Sequence, residues 1–183
     1  MITEKSTANA ITHLAQLLAS QLSQHSWSVV LAESCTGGLV CASLTEIAGS
    51  SAWFERGYIT YSNQAKSECL GVSAELIGSF GAVSEEVAKA MAEGALKNSM
   101  SNLAIAITGI AGPTGGTFDK PVGTVCFGWA FTQLTNNLNS PALVKLKTQH
   151  FAGNRLAVRN QACAFALQGA VDLIHPTFTT KIP

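Results

Sequence analysis

The stretch L-A-E-S-C-T-G-G-L-V, residues 31–40, sets three candidate nucleophiles side by side: Ser34, Cys35 and Thr36. An apolar run precedes it, and a glycine pair with an apolar, helix-like pattern comes after, so the trio falls at a strand-to-helix turn. Such a turn can cradle an anion on free backbone N–H groups, present a nucleophile, or simply connect two elements. A serine there needs a base. His150, at a strand end, would supply a Ser–His arrangement. Lys66 offers another route, because an ammonium taken out of water loses its proton more readily and can then accept one. A solvated surface lysine is the plainer reading of the same residue. Arg155, in F-A-G-N-R behind a capping Asn154, is either a guanidinium at an anion-binding helix start or an ordinary surface arginine.

Hydrophobic periodicity supplies the framework around these residues. Ile11, Leu14, Ala15, Leu18 and Leu22 recur at helical spacing, and Val29 to Ala32 reads as a buried strand. Leu39 to Ile47 reads as a helix closed by Gly49, and Gly57 to Tyr61 as a second strand. Asn63 is placed to cap a short helix that holds Lys66 and ends at Gly71. Ser84 with Glu85 and Glu86 opens another helix, its acids in the first turn where the dipole favours them.

Leu103 to Thr108 is apolar throughout and predicts a central strand. It empties into the loop T-G-I-A-G-P-T-G-G-T-F-D-K-P, too rich in glycine and proline for regular structure. Val122 to Phe131 and Ala142 to Phe151 predict two longer strands joined through T-N-N-L-N-S, which suits a hairpin. A last helix starts near Arg155 and carries Leu156, Cys163, Leu167, Ala170 and Ile174. With no repeat and no linker, the expectation is one domain over 1–183: a three-layer α/β/α sandwich around a mixed, mostly parallel sheet. Both glycine loops then open at the carboxyl ends of strands, where such sheets bind ligands. Neither carries the Walker pattern or G-x-G-x-x-G.

The chain has 183 residues, 47% of them hydrophobic and 12% charged, with a formal net charge of zero. That balance argues against nucleic-acid binding, which needs a basic excess. A surface with so few charges suggests that a second copy covers part of it, so a homodimer or higher homo-oligomer is expected. The five cysteines (Cys35, Cys41, Cys69, Cys126, Cys163) form no C-x-x-C and sit in apolar stretches, which reads as buried thiols in a reducing cytoplasm. The histidines are scattered, so no metal site is expected. No signal peptide or membrane-length apolar run is evident.

Five blocks, A-E-S-C-T-G-G, A-G-S-S-A-W-F-E-R-G-Y-I-T-Y-S-N-Q-A-K, G-A-V-S-E-E-V, T-G-I-A-G-P-T-G-G and K-P-V-G-T-V, occur in this order, and together they resemble the CinA C-terminal domain family. The resemblance runs from about Leu31 to Ala170, and no molybdopterin-binding-like domain precedes it, as in the free-standing members. It implies hydrolysis of the carboxamide of nicotinamide mononucleotide to nicotinate mononucleotide and ammonia, in recycling of pyridine nucleotide toward NAD, with no metal or organic cofactor. It implies a Ser–Lys dyad of Ser34 and Lys66, with Tyr61, Asn63, Thr108, Gly109 and Arg155 at the substrate. At Arg155 this chain has F-A-G-N-R where the family has G-D-R. Backbone N–H groups of Thr36, Gly37 and Gly38 are then expected to hold the tetrahedral oxyanion. A non-catalytic pyridine-nucleotide-binding module is the competing expectation.

Overall fold

The computed structural model describes residues 4–132 and 142–178. Within them the run V-V-L-A-E forms strand β1 (Val29–Glu33), every residue of it buried. A strand buried on both faces must be covered on both, and helices do this. β1 pairs in parallel with β2 (Phe54–Ile59) on one flank and with β3 (Leu103–Gly109) on the other. β4 (Thr124–Phe131) runs antiparallel to β3, and β5 (Leu143–His150) antiparallel to β4, in the order β2-β1-β3-β4-β5. Only β4 is reversed, so the sheet is mixed as expected, with two parallel and two antiparallel pairings.

Strand alternation sorts the core into two layers. Val29, Leu31, Leu103, Ile105 and Phe127 join the cluster formed with α1 (Glu4–His25), α2 (Leu39–Thr45) and α6 (Arg155–Phe178). Val30, Ala32, Ala104 and Ala106 join the opposite cluster with α3 (Asn63–Leu70), α4 (Ala74–Phe80) and α5 (Glu85–Lys97). Small residues let this second layer sit close. A Cβ at Gly128 would come within 2.7 Å of the Ala88 carbonyl oxygen in α5. A side chain at Gly94 of α5 would overlap the Leu70 carbonyl, so this glycine seats α3, the helix that carries Lys66, against its neighbour.

Several sequence expectations shift. β2 spans Phe54–Ile59 rather than 57–61: the Thr60 amide makes a last parallel ladder bond to the Glu33 carbonyl at 2.8 Å, and Ser62 then starts α3. Ser62, not Asn63, caps α3: its hydroxyl accepts from the Ala65 amide at 3.0 Å, and Asn63 is the first helical residue. The short α4 was not expected. Ser84 does cap α5, and Asn154 does cap α6, accepting from the Ala157 amide at 2.9 Å. Leu156 faces solvent, and the buried side of α6 is Val158, Ala162, Cys163, Ala166, Leu167, Ala170 and Ile174. Cys69 is exposed rather than buried. The T-N-N-L-N-S link lies outside the described residues.

Candidate active site

β1 ends at Glu33, and strand phase decides where the next side chains point. Odd-numbered side chains of β1 face α2 and α6 while even-numbered ones face α3 and α5. Continued by two residues, this sends Ser34 toward α3 and Cys35 toward the other layer. Gly37 and Gly38, at φ +60° and +91°, then turn the chain into α2, a left-handed conformation that side chains resist.

Lys66 meets Ser34 from α3. It lies one turn after the Ser62 cap, on the side of α3 that also buries Leu70, and only 1% of it is exposed. Its Nζ stands 3.1 Å from Ser34 Oγ, 2.8 Å from the Thr60 carbonyl and 3.4 Å from that of Tyr61. Among the described residues no carboxylate pairs with it. Burial therefore lowers its pKa below the ordinary lysine value, with nothing but a minor opposing influence from Cys35. As an ammonium, Nζ donates in all three contacts; once neutral it would keep two N–H bonds for the carbonyls and turn its lone pair to Ser34 Oγ, the geometry a base needs.

The pair opens into a cavity of about 210 Å³ at the carboxyl ends of β1 and β3, and Tyr61, Asn63, Thr108, Gly109 and Arg155 line it too. Thr108 donates to the Ala82 carbonyl at 2.7 Å, which leaves its oxygen lone pairs as acceptors. Gly109 is small for a packing reason: a Cβ there would stand 2.7 Å from Val125 and 2.9 Å from the Thr124 carbonyl oxygen. Arg155 stands at the rim, its Nη1 donating to the Gly112 carbonyl (2.8 Å) and its Nη2 to Tyr61 Oη (3.1 Å).

Two of the three amides expected at the oxyanion are engaged elsewhere. The Gly38 amide donates to Glu33 Oε2 at 2.8 Å and the Gly37 amide to the Ser34 carbonyl at 3.1 Å, so neither faces the cavity unengaged. Among the described residues no backbone hydrogen bond engages the amides of Cys35 or Thr36, and their nearness to the Cys35 sulfur offsets part of the effect of burial on that thiol. Cys35 is 6% exposed, and burial, reinforced by the Glu33 charge, pushes its thiol up to about 12. His150 stands apart from Ser34, in a separate cavity of about 290 Å³ beside Glu85 and Asp119, with Nδ1 bonded to Thr124. The Ser–His arrangement is not formed.

Two residues escaped the sequence reading. Glu33, 0% exposed, accepts the amides of Gly38, Val40 and Cys41. Its signal was a lone acid closing an apolar strand just ahead of a glycine pair. Arg159, one helical turn beyond Arg155, donates to the Thr36 carbonyl at 2.7 Å, and its signal was the i, i+4 spacing. Among the described residues no three His, Cys, Asp or Glu side chains form a metal-binding group, and no helix is long and apolar enough to cross a membrane.

Fold and site together define a class: a three-layer α/β/α protein with a lysine-paired serine in a crevice beyond the strand ends. The chain belongs to the CinA C-terminal domain family, whose pattern matches residues 11–174. It is 46% identical over 162 residues to nicotinamide-nucleotide amidohydrolase PncC of Escherichia coli (strain K12), covering 88% of this chain and 93% of that relative. To the Enterobacter agglomerans protein of the same name it is 48% identical over 154 residues, 84% and 89% of the two chains. Its fold matches the crystal structure of competence/damage inducible protein CihA from Agrobacterium tumefaciens with a TM-score of 0.81 at 41% identity, covering 90% and 95%.

Proposed function

We propose that this chain hydrolyses the carboxamide of nicotinamide mononucleotide, giving nicotinate mononucleotide and ammonia, and so serves pyridine-nucleotide recycling in the cytoplasm as a single-domain homo-oligomer. The observation that carries the chemistry is the buried, carboxylate-free Lys66 at 3.1 Å from Ser34 Oγ. The similarity to relatives named nicotinamide-nucleotide amidohydrolase supplies the substrate.

In this reading Ser34 Oγ attacks the amide carbon while Lys66 takes its proton. The tetrahedral oxyanion is held by the Cys35 and Thr36 amides, each donor worth about 3–4 kcal/mol in such sites. Collapse breaks the C–N bond, and Lys66 returns the proton to the departing nitrogen, releasing ammonia. Water then attacks the acyl-enzyme, Lys66 again serving as base, and frees the carboxylate and Ser34. The pyridinium charge of the substrate disfavours protonated Lys66 nearby.

A cavity of about 210 Å³ lies below the roughly 300–1,000 Å³ usual for whole ligands. It fits the ring and leaves the ribose phosphate at the rim. There Arg155, held by Gly112 and Tyr61, keeps donors for the phosphate. Tyr61 and Asn63 flank the ring and ribose, and Thr108 accepts from the carboxamide.

The test is ammonia release from nicotinamide mononucleotide by the protein and by Ser34→Ala, with binding followed by calorimetry. Turnover by the first and binding without turnover by the second is the expected result. Activity retained in Ser34→Ala would move the nucleophile elsewhere. Binding without turnover by both would make the chain a pyridine-nucleotide-binding module.

A further inference from the structure

Glu33 is a fully buried carboxylate with no part in the bond-making steps of the hydrolysis. Its oxygens gather the amides of Gly38 (2.8 Å), Val40 (3.3 Å) and Cys41 (2.8 Å) from the turn beyond Ser34. Its backbone carbonyl accepts the Thr60 amide at 2.8 Å, and the Thr60 carbonyl in turn holds Lys66 Nζ at 2.8 Å. One residue thus adjoins the nucleophile in sequence, ties down the turn after it, and is one peptide removed from the base.

We propose that Glu33 is a positioning residue of the hydrolysis, a proposal that rests on the hydrolase reading. By engaging the three later amides it acts as a built-in anion, and it leaves the Cys35 and Thr36 amides as the donors that meet the oxyanion. By fixing the turn it sets the distance between Ser34 Oγ and Lys66. A carboxylate is required because three donors converge on it. Glutamine at this position has the same shape but turns an NH2 group toward amides that themselves donate, so the turn must reorganise.

The experiment compares the protein with Glu33→Gln and Glu33→Ala, measuring kcat and KM for nicotinamide mononucleotide and binding by calorimetry. Glu33→Gln is expected to lose about 100-fold or more in kcat, the scale of one misplaced oxyanion donor. Its affinity is expected to stay within roughly threefold, under 1 kcal/mol. Glu33→Ala is expected to regain about tenfold in rate with added formate, and none with chloride at the same ionic strength, because formate can meet the same three amides. A kcat for Glu33→Gln within threefold of the native value, or a loss seen only as weaker binding, would overturn the proposal, as would formate leaving a folded Glu33→Ala unchanged. If Glu33→Ala does not fold, Glu33→Gln decides alone. If the native protein releases no ammonia, the hydrolase reading fails separately. Phosphonylation of Ser34 by a fluorophosphonate, with an Oγ–P bond formed and fluoride released, then reports on Glu33: slowing by about tenfold in Glu33→Gln supports its positioning role, and an unchanged rate refutes it.

Discussion

Replacing Lys66 by methionine and, separately, by arginine distinguishes a base from a mere positive charge. Methionine keeps the stem and removes the amine. Among the described residues no carboxylate or imidazole lines the cavity to take over: Glu33 has both oxygens occupied by backbone amides and His150 lies in a different cavity. The whole general-base contribution should vanish, about 10²–10⁴-fold in kcat, or about 2.7–5.5 kcal/mol. Arginine retains the charge but cannot deprotonate near neutral pH, so it should lose as much. The pH profile is set by the same burial. Lys66 must be neutral to act and its pKa lies below the ordinary 10.5, so kcat/KM should fall tenfold per pH unit on the acid side of that lowered value. Stability carries a matching signature. Between the lowered pKa and 10.5 the unfolded chain binds a proton that the folded chain does not, so folding is favoured progressively as pH rises through that window. The slope reaches at most about 1.4 kcal/mol per unit. Below the window the destabilisation from burying the amine is complete. Lys66→Met lacks this slope, and its advantage over the native protein should shrink as pH rises. Ammonia release and denaturant unfolding across pH measure both effects. Either variant within tenfold of native activity, or equal stability slopes in the window, would refute the argument.

Arg155→Ala should raise KM for the mononucleotide by about 10- to 150-fold, the worth of a hydrogen bond to a charged group, and leave the riboside unaffected; equal losses on both substrates would remove its phosphate role. Iodoacetamide should modify Cys69 first, being exposed, with activity intact, and mass spectrometry of the partly labelled protein settles the order. Gly94→Ala forces a methyl into the Leu70 carbonyl. It should cost about 1–3 kcal/mol and lower the unfolding temperature by about 2–12 °C, measurable by calorimetry.

The sheet was legible where burial is symmetric. Val29–Ala32 and Leu103–Thr108 are apolar on both faces because helices cover both, and composition alone shows that. Caps chosen by chemistry, at Ser84 and Asn154, were legible too. The cap of α3 was not, because Ser62 and Asn63 are both good capping residues and only backbone geometry decides between neighbours. α4 hides in A-E-L-I-G-S-F, where a glycine interrupts a helix that fully buries only Ile77. Lys66 was picked out as the base candidate, yet its burial was illegible. It stands in N-Q-A-K-S-E, a polar stretch, and goes inside only because Gly94 lets α3 settle against α5. The engagement of the Gly37 and Gly38 amides was illegible for a similar reason: which N–H groups remain available depends on how the turn closes and where the Glu33 carboxylate goes, and nothing local in E-S-C-T-G-G reveals that.

In the proposed reaction, the preference for Ser34 over the adjacent Cys35 comes from strand phase combined with charge. A thiolate is the stronger nucleophile, but Cys35 shares its phase with Glu33, so burial and then the neighbouring anion hold it as a thiol, with a pKa of about 12. Little thiolate is then present near neutral pH, which offsets the advantage of sulfur. Ser34 shares its phase with Ala32 on the layer of α3, where the Lys66 amine, with no carboxylate partner among the described residues, stands 3.1 Å away. On the proposed reading, a strand that alternates its neighbours therefore sets an anion beside the thiol and the base beside the hydroxyl, although both side chains reach the same cavity. The consequence is specific: in Ser34→Ala the thiol one residue away should not take over the reaction, and an acyl group found on Cys35 in that variant would show that burial and the Glu33 charge do not silence it.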